Sequence, residues 1–151
     1  MIVQIQDKDK KRAISRRILE ALTEWFEVEE SREQYINDCA DWLFLAAEGN
    51  SDYAGFLCLK ETGKDTAELA VMGVLKEHHR HGIGMKLVEK AKEAAKAAGY
   101  SFMQVKTVQM GKYEEYDRTN LFYLGCGFKE FEVFPLYWDE ANPCQIYVMA
   151  L

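Results

Sequence analysis

Residues Ala67–Tyr100 read AELAVMGVLKEHHRHGIGMKLVEKAKEAAKAAGY, and their period changes once along the stretch. Leu69, Ala70, Val71, Met72, Val74 and Leu75 form a nearly continuous apolar run, the pattern of a strand covered on both faces. From Met85 onward Leu87, Val88, Ala91, Ala94, Ala95 and Ala98 recur three or four apart, while Lys86, Glu89, Lys90, Lys92, Glu93 and Lys96 take the other side. This predicts an amphipathic helix ended by Gly99. Between strand and helix lies a short histidine-rich loop that brings Gly82-Ile83-Gly84 to the first helical turn.

That junction has a chemical use. The first amides of a helix have no intrahelical acceptor, and the helix dipole adds partial positive charge at that end, so an anion placed there meets ready donors. Glycine lets a ligand approach the backbone closely. Two familiar phosphate motifs are excluded. No Lys-Ser or Lys-Thr follows the glycines, as a P-loop requires, and Leu87 stands where a dinucleotide fingerprint has its third glycine. The next strand ends in Thr107-Val108-Gln109, with no acid to hold a ribose. What remains is an anion site that is not an ordinary nucleotide site.

Outward from this stretch further strands and helices follow. Ile2, Val3 and Ile5 begin a short strand, and Ile14, Ile18, Ala21, Leu22, Trp25 and Phe26 mark one face of a helix from Lys10 to Phe26. Ser31-x-x-Gln34 has the form of a capping box opening a second helix with Tyr35, Ile36, Cys39 and Ala40 inward. Trp42 to Ala47 and Tyr53 to Lys60 are strand-like, separated by turn residues at 48–52 and followed by a turn at 61–65. Ser101 to Val108 is a strand again, so strand, helix and strand imply a parallel pair joined by a right-handed crossover. Met110 to Thr119 is polar and predicts a loop, and a short helix follows around Asn120 to Cys126 with Leu121, Phe122 and Leu124 for the core. Two strands, Phe128 to Tyr137 and Cys144 to Leu151, close the chain around a hairpin at 139–143. The expected fold is α+β, with seven strands in a mixed sheet and about four helices.

With 151 residues, 48% hydrophobic and 13% aromatic, the chain is long enough for one domain with a real core, so residues 1–151 are expected to form a single domain. The formal net charge of −6 disfavours a nucleic-acid binder held by phosphate contacts and suits a cationic substrate. Cys39, Cys58, Cys126 and Cys144 are far apart with no Cys-x-x-Cys spacing, as in a reduced, cytoplasmic protein. No stretch approaches the ~20 apolar residues of a membrane span, and the first residues lack the order of a signal peptide. The neighbouring histidines 78, 79 and 81 have no carboxylate spacing to complete a metal set, so no metal is expected.

The order of elements, the MGVLKEHHRHGIGMKL stretch and the later FYLGCGF together resemble the GNAT superfamily of acetyl-CoA-dependent N-acetyltransferases over essentially the whole chain. The family signature is Gln or Arg, two residues, Gly, one residue, then Gly or Ala. Here it is met by His79-Arg80-His81-Gly82-Ile83-Gly84, with His79 departing at the first position. A second landmark, an aromatic-Tyr pair followed by Gly-Phe, is met by Phe122-Tyr123 and Gly127-Phe128, while Tyr116 and Thr119 stand where members often carry Asn and Ala. The resemblance implies a three-layer fold with acetyl-CoA as co-substrate, wedged between the strand ending at Val74 and the strand from Ser101. Its pantetheine amides would pair with backbone near Met72 and Val74. Its pyrophosphate would sit on Arg80, His81, Gly82, Ile83, Gly84 and Met85, cradled by main-chain amides, with His79 beside them among the cofactor-binding residues.

Transfer to a primary amine, small molecule or peptide, then sets three tasks. A free amine has a pKa near ~10, so a base or water chain must take its proton. Glu68, on the central strand, is the candidate base. The thioester carbonyl must be polarised, a task for a backbone N–H near Met72 or Gly73. The departing thiolate must be stabilised, and Tyr123 stands where the family uses a tyrosine general acid. Trp25, Tyr137 and Trp138 are candidate linings of the acceptor site. A non-catalytic acyl-CoA sensor of the same fold is the alternative, and dimerisation through the sheet edge or last strands is in keeping with the family.

Overall fold

Asp7 both ends the first strand and starts the first helix, its carboxylate accepting from the N–H of Asp9 at 2.9 Å and of Lys10 at 3.4 Å. In the computed structural model, which describes residues 1–79 and 81–151, the elements run β1 (Ile2–Ile5), α1 (Lys8–Ala21), α2 (Glu29–Asp38), β2 (Leu43–Glu48), β3 (Tyr53–Gly63) and β4 (Thr66–Val74). They continue with α3 (Ile83–Ala97), β5 (Phe102–Val108), α4 (Glu114–Gly125), β6 (Lys129–Asp139) and β7 (Asn142–Ala150). The seven strands form one mixed sheet in the order β1-β2-β3-β4-β5-β7-β6. The chain divides into two compact units, Met1–Lys60 with Leu69–Ala94, and Glu61–Glu68 with Ala95–Leu151.

In the first unit, Ile14, Ile18, Leu19 and Leu22 of the α1 segment and Ile36 and Cys39 of the α2 segment share a core with Phe44, Phe56, Cys58 and Val71 from the strands. Phe44 and Phe56 stack at 5.2 Å between centroids. Lys11 is buried, and its ammonium donates to the carbonyls of Ala40 at 3.3 Å and Trp42 at 2.7 Å, so the charge is solvated by main chain. In the second unit β7 pairs antiparallel with β5 on one side and β6 on the other, and Met103, Val105, Phe128, Cys144, Ile146 and Tyr147 are buried.

Several sequence expectations are corrected here. The first helix stops at Ala21 rather than Phe26, because Leu22 leaves helical geometry and its carbonyl accepts from Trp25 and Phe26 in a turn. The second helix starts at Glu29 behind Val28 with no side-chain cap, so Ser31 lies inside it and the expected box does not form. The fourth helix starts at Glu114, six residues before Asn120, where Glu114, Glu115 and Asp117 complement the positive end of the helix dipole. Its inward residues also differ: Asn120 and Tyr123 are buried, while Leu121 and Leu124 are exposed. The turns are tighter than their composition suggested, Lys64-Asp65 joining β3 to β4 and Glu140-Ala141 joining β6 to β7. All four cysteines are buried free thiols.

Candidate active site

Along β4 Leu69, Val71 and Gly73 are buried and Ala70, Met72 and Val74 are half-buried, so from Leu69 the strand alternates regularly up to its end. The Leu75 N–H donates to Ala54 O of β3 at 2.9 Å. In a trans peptide the preceding carbonyl points the opposite way, so Val74 C=O faces away from β3. By the same alternation Met72 presents its main-chain groups on the side of the Val74 carbonyl, and Gly73 turns its own toward β3. Gly73 is also the place where a side chain would not fit: a Cβ there would lie 2.9 Å from Leu22 Cδ1 and 3.0 Å from Ile18 Cγ2.

Beyond β4 a 3-10 turn over Lys76–His78 leads into the glycine loop. Gly82 has φ +76°, a conformation that favours glycine, and among the described residues, its chain neighbours aside, no heavy atom lies within 4 Å of where its Cβ would be. Its carbonyl accepts from Lys86 N–H at 3.0 Å, so the amides of Ile83, Gly84 and Met85 form the first turn of α3 and have no acceptor within the helix. His81, Gly82 and Met85 are exposed, Ile83 and Gly84 half-buried. Arg80, assigned with them to the pyrophosphate, lies outside the described residues. His79 folds back, its Nε2 lying 2.6 Å from Val74 O and its ring edge-on to Trp25 at 6.2 Å, while the rings of His78 and His81 meet at 6.3 Å.

In the second unit Glu68 is 5% exposed, which a solvated strand-entry residue would not be. Its Oε1 accepts from Lys106 Nζ at 2.5 Å and Gln104 Nε2 at 2.8 Å, both from β5. Burial opposes the charge on Lys106, but the hydrogen bond and attraction from Glu68 outweigh it and hold the ammonium pKa above its ordinary value. The same ammonium lies 5.4 Å from the centre of the Tyr137 ring. Lys106 and Gln104 escaped the sequence reading because they are single polar residues on a strand, with only their alternation as a signal.

Tyr123 is buried among rings: Phe122 at 5.5 Å, Phe128 at 5.7 Å and Tyr147 at 6.3 Å. Asn120, one helical turn earlier, has no exposed surface. Its amide donates to Val108 O at 2.9 Å and Tyr116 O at 2.6 Å, and its Oδ1 accepts from the Tyr147 hydroxyl. Burial raises the Tyr147 pKa. Tyr137 and Trp138, offered as acceptor lining, are exposed on β6, and Trp25 is half-buried beside His79.

The acetyltransferase (GNAT) family model matches residues 12–128. No curated protein sequence matches the chain. Among solved structures, a protein from Desulfovibrio desulfuricans described as belonging to the GNAT family superposes with a TM-score of 0.85 at 18% identity, covering 99% of each chain. An IAA acetyltransferase from Bacillus cereus gives 0.78 at 23% identity over 100% of this chain and 99% of its own. An aminoglycoside 6'-N-acetyltransferase complexed with coenzyme A gives 0.74 at 17% identity over 99% of this chain and 96% of its own. The glycine junction after β4 and a family match over most of the sequence agree, and the chain belongs to the GNAT family of acetyltransferases.

Proposed function

We propose that the 151 residues act as one domain that moves the acetyl group of acetyl-CoA directly to a primary amine, on a small molecule or a peptide. The observation that carries this reading is the junction at which β4 ends with the Val74 carbonyl facing away from β3 and α3 begins at a glycine with φ +76°. The bare amides of Ile83, Gly84 and Met85 suit a diphosphate, and the outward main-chain groups of Met72 and Val74 suit the amides of a pantetheine arm. Acetyl-CoA supplies the activated acyl group and a thiol leaving group.

Met72 N–H, on the same side as Val74 C=O, is the proposed donor to the thioester carbonyl; Gly73 turns toward β3 and is the weaker choice. Glu68 is the proposed acceptor of the amine's proton, with Lys106 and Gln104 fixing one of its oxygens. Tyr123 is the proposed donor to the departing sulfur. A thiol of pKa near ~8.5 leaves without much help, so this donation accelerates turnover without being indispensable.

The four buried thiols support a reducing, cytoplasmic setting. Among the described residues no helix is long and apolar enough to cross a membrane. β6 is an edge strand with Phe131, Leu136, Tyr137 and Trp138 exposed, which supports pairing with a second copy. The test of the main reading is calorimetry with acetyl-CoA, followed by thiol release across a panel of primary amines. Micromolar binding and amine-dependent release are expected; absence of binding removes the proposal.

A further inference from the structure

The Val74 carbonyl faces away from β3, yet this chain supplies it with a partner of its own. A carbonyl oxygen only accepts, so the 2.6 Å contact to His79 Nε2 places the ring hydrogen on Nε2, donating to Val74 O. The 3-10 turn over Lys76–His78 makes this possible: the His79 N–H bonds to Lys76 O at 3.0 Å, which reverses the chain and lays the imidazole back at the end of β4. The Trp25 ring flanks it at an interplanar angle of 72°. His79 is nevertheless exposed, so the bond can open without disturbing the core.

We infer that His79 sets the affinity for CoA by occupying the carbonyl that the pantetheine arm takes, so that binding requires the imidazole to leave. This rests on the reading of β4 and the glycine loop as the cofactor site. The ring and a pantetheine amide compete as donors for the same oxygen of Val74. Removing the imidazole spares the cofactor the cost of breaking one net hydrogen bond, which corresponds to roughly three- to tenfold tighter binding.

The experiment is calorimetric titration of the wild type, His79→Ala and His79→Phe with two probes, CoA and ADP. ADP carries a diphosphate but no pantetheine arm. Both variants are expected to bind CoA roughly three- to tenfold more tightly, with ADP affinity unchanged within twofold. His79→Phe keeps a ring but has no donor, so a gain with it assigns the effect to the hydrogen bond rather than to bulk. Equal CoA affinity in all three proteins would overturn the inference while leaving the cofactor site standing. So would a parallel loss of CoA and ADP affinity, which would make His79 a diphosphate ligand instead. No heat with CoA in any of the three would remove the cofactor site and this inference together.

Discussion

The Tyr147 hydroxyl donates to Asn120 Oδ1 at 2.6 Å, tying β7 to the middle of α4 one turn before Tyr123. The amide of the same Asn120 holds the carbonyl of Val108 at the end of β5. Three elements of the second unit are thus bound through one side chain with no exposed surface. Asn120→Ala leaves the buried Tyr147 hydroxyl without its acceptor and the Val108 carbonyl without its side-chain donor, and is expected to destabilise by about 2–4 kcal/mol, whereas Tyr147→Phe removes one donor and costs about 1–2 kcal/mol. Urea unfolding of both single variants and the double checks this, and the double is expected to fall short of the sum.

The Lys106–Glu68 pair gives a stability term with a defined pH window. The folded pKa of Lys106 is raised above its ordinary 10.5, so its contribution is fully present below pH 10.5 and is lost as pH rises through the folded value. The urea midpoint of the wild type is therefore expected to fall as pH rises above 10.5. In Lys106→Met the fall is smaller, because that group no longer titrates. The variant starts lower at pH 8, since Glu68 is left buried without its cation.

Gly73 is held to glycine by space rather than by φ. Gly73→Ala drives a methyl against Leu22 Cδ1 and Ile18 Cγ2 and is expected to cost about 1–3 kcal/mol. A thermal melt that matches the wild type would show that α1 can yield there.

At the glycine loop the limit is the ligand and not the fold. Gly82 has open space around it, so Gly82→Glu pays a backbone cost of about 1 kcal/mol for its positive φ and remains folded. It is expected to lose acetyl-CoA binding altogether by placing like charge and bulk at the diphosphate position. Circular dichroism with calorimetry on the same sample checks both halves.

Tyr123→Phe keeps the ring packing with Phe128 and Tyr147 and removes only the hydroxyl. It is expected to lower kcat by roughly 10- to 10³-fold with little change in KM for acetyl-CoA. A pH–rate profile from pH 7 to 9 that superposes on the wild type would dismiss the phenol as the acid.

Much of this fold is local chemistry and therefore legible in the chain. The change of period across Ala67–Tyr100 reflects burial of neighbouring side chains, which sequence records directly. Helix α4 was half hidden for the converse reason. Its buried residues are a polar Asn120 and a Tyr123, while its leucines at 121 and 124 face outward, so hydrophobic spacing pointed at the wrong face.

The sequence by itself determined the order of elements, the glycines at the start of α3, the tyrosine of the FYLGCGF stretch and the family to which they belong. Only the tertiary structure decided which polar groups meet: Glu68 with Lys106 and Gln104, Asn120 with Tyr147 and Val108, His79 with Val74. The first set follows from intrinsic conformational preference and amphipathic spacing, which act between neighbours along the chain. The second follows from strand register, chain reversal and which way a peptide plane turns, and no spacing in the sequence records those.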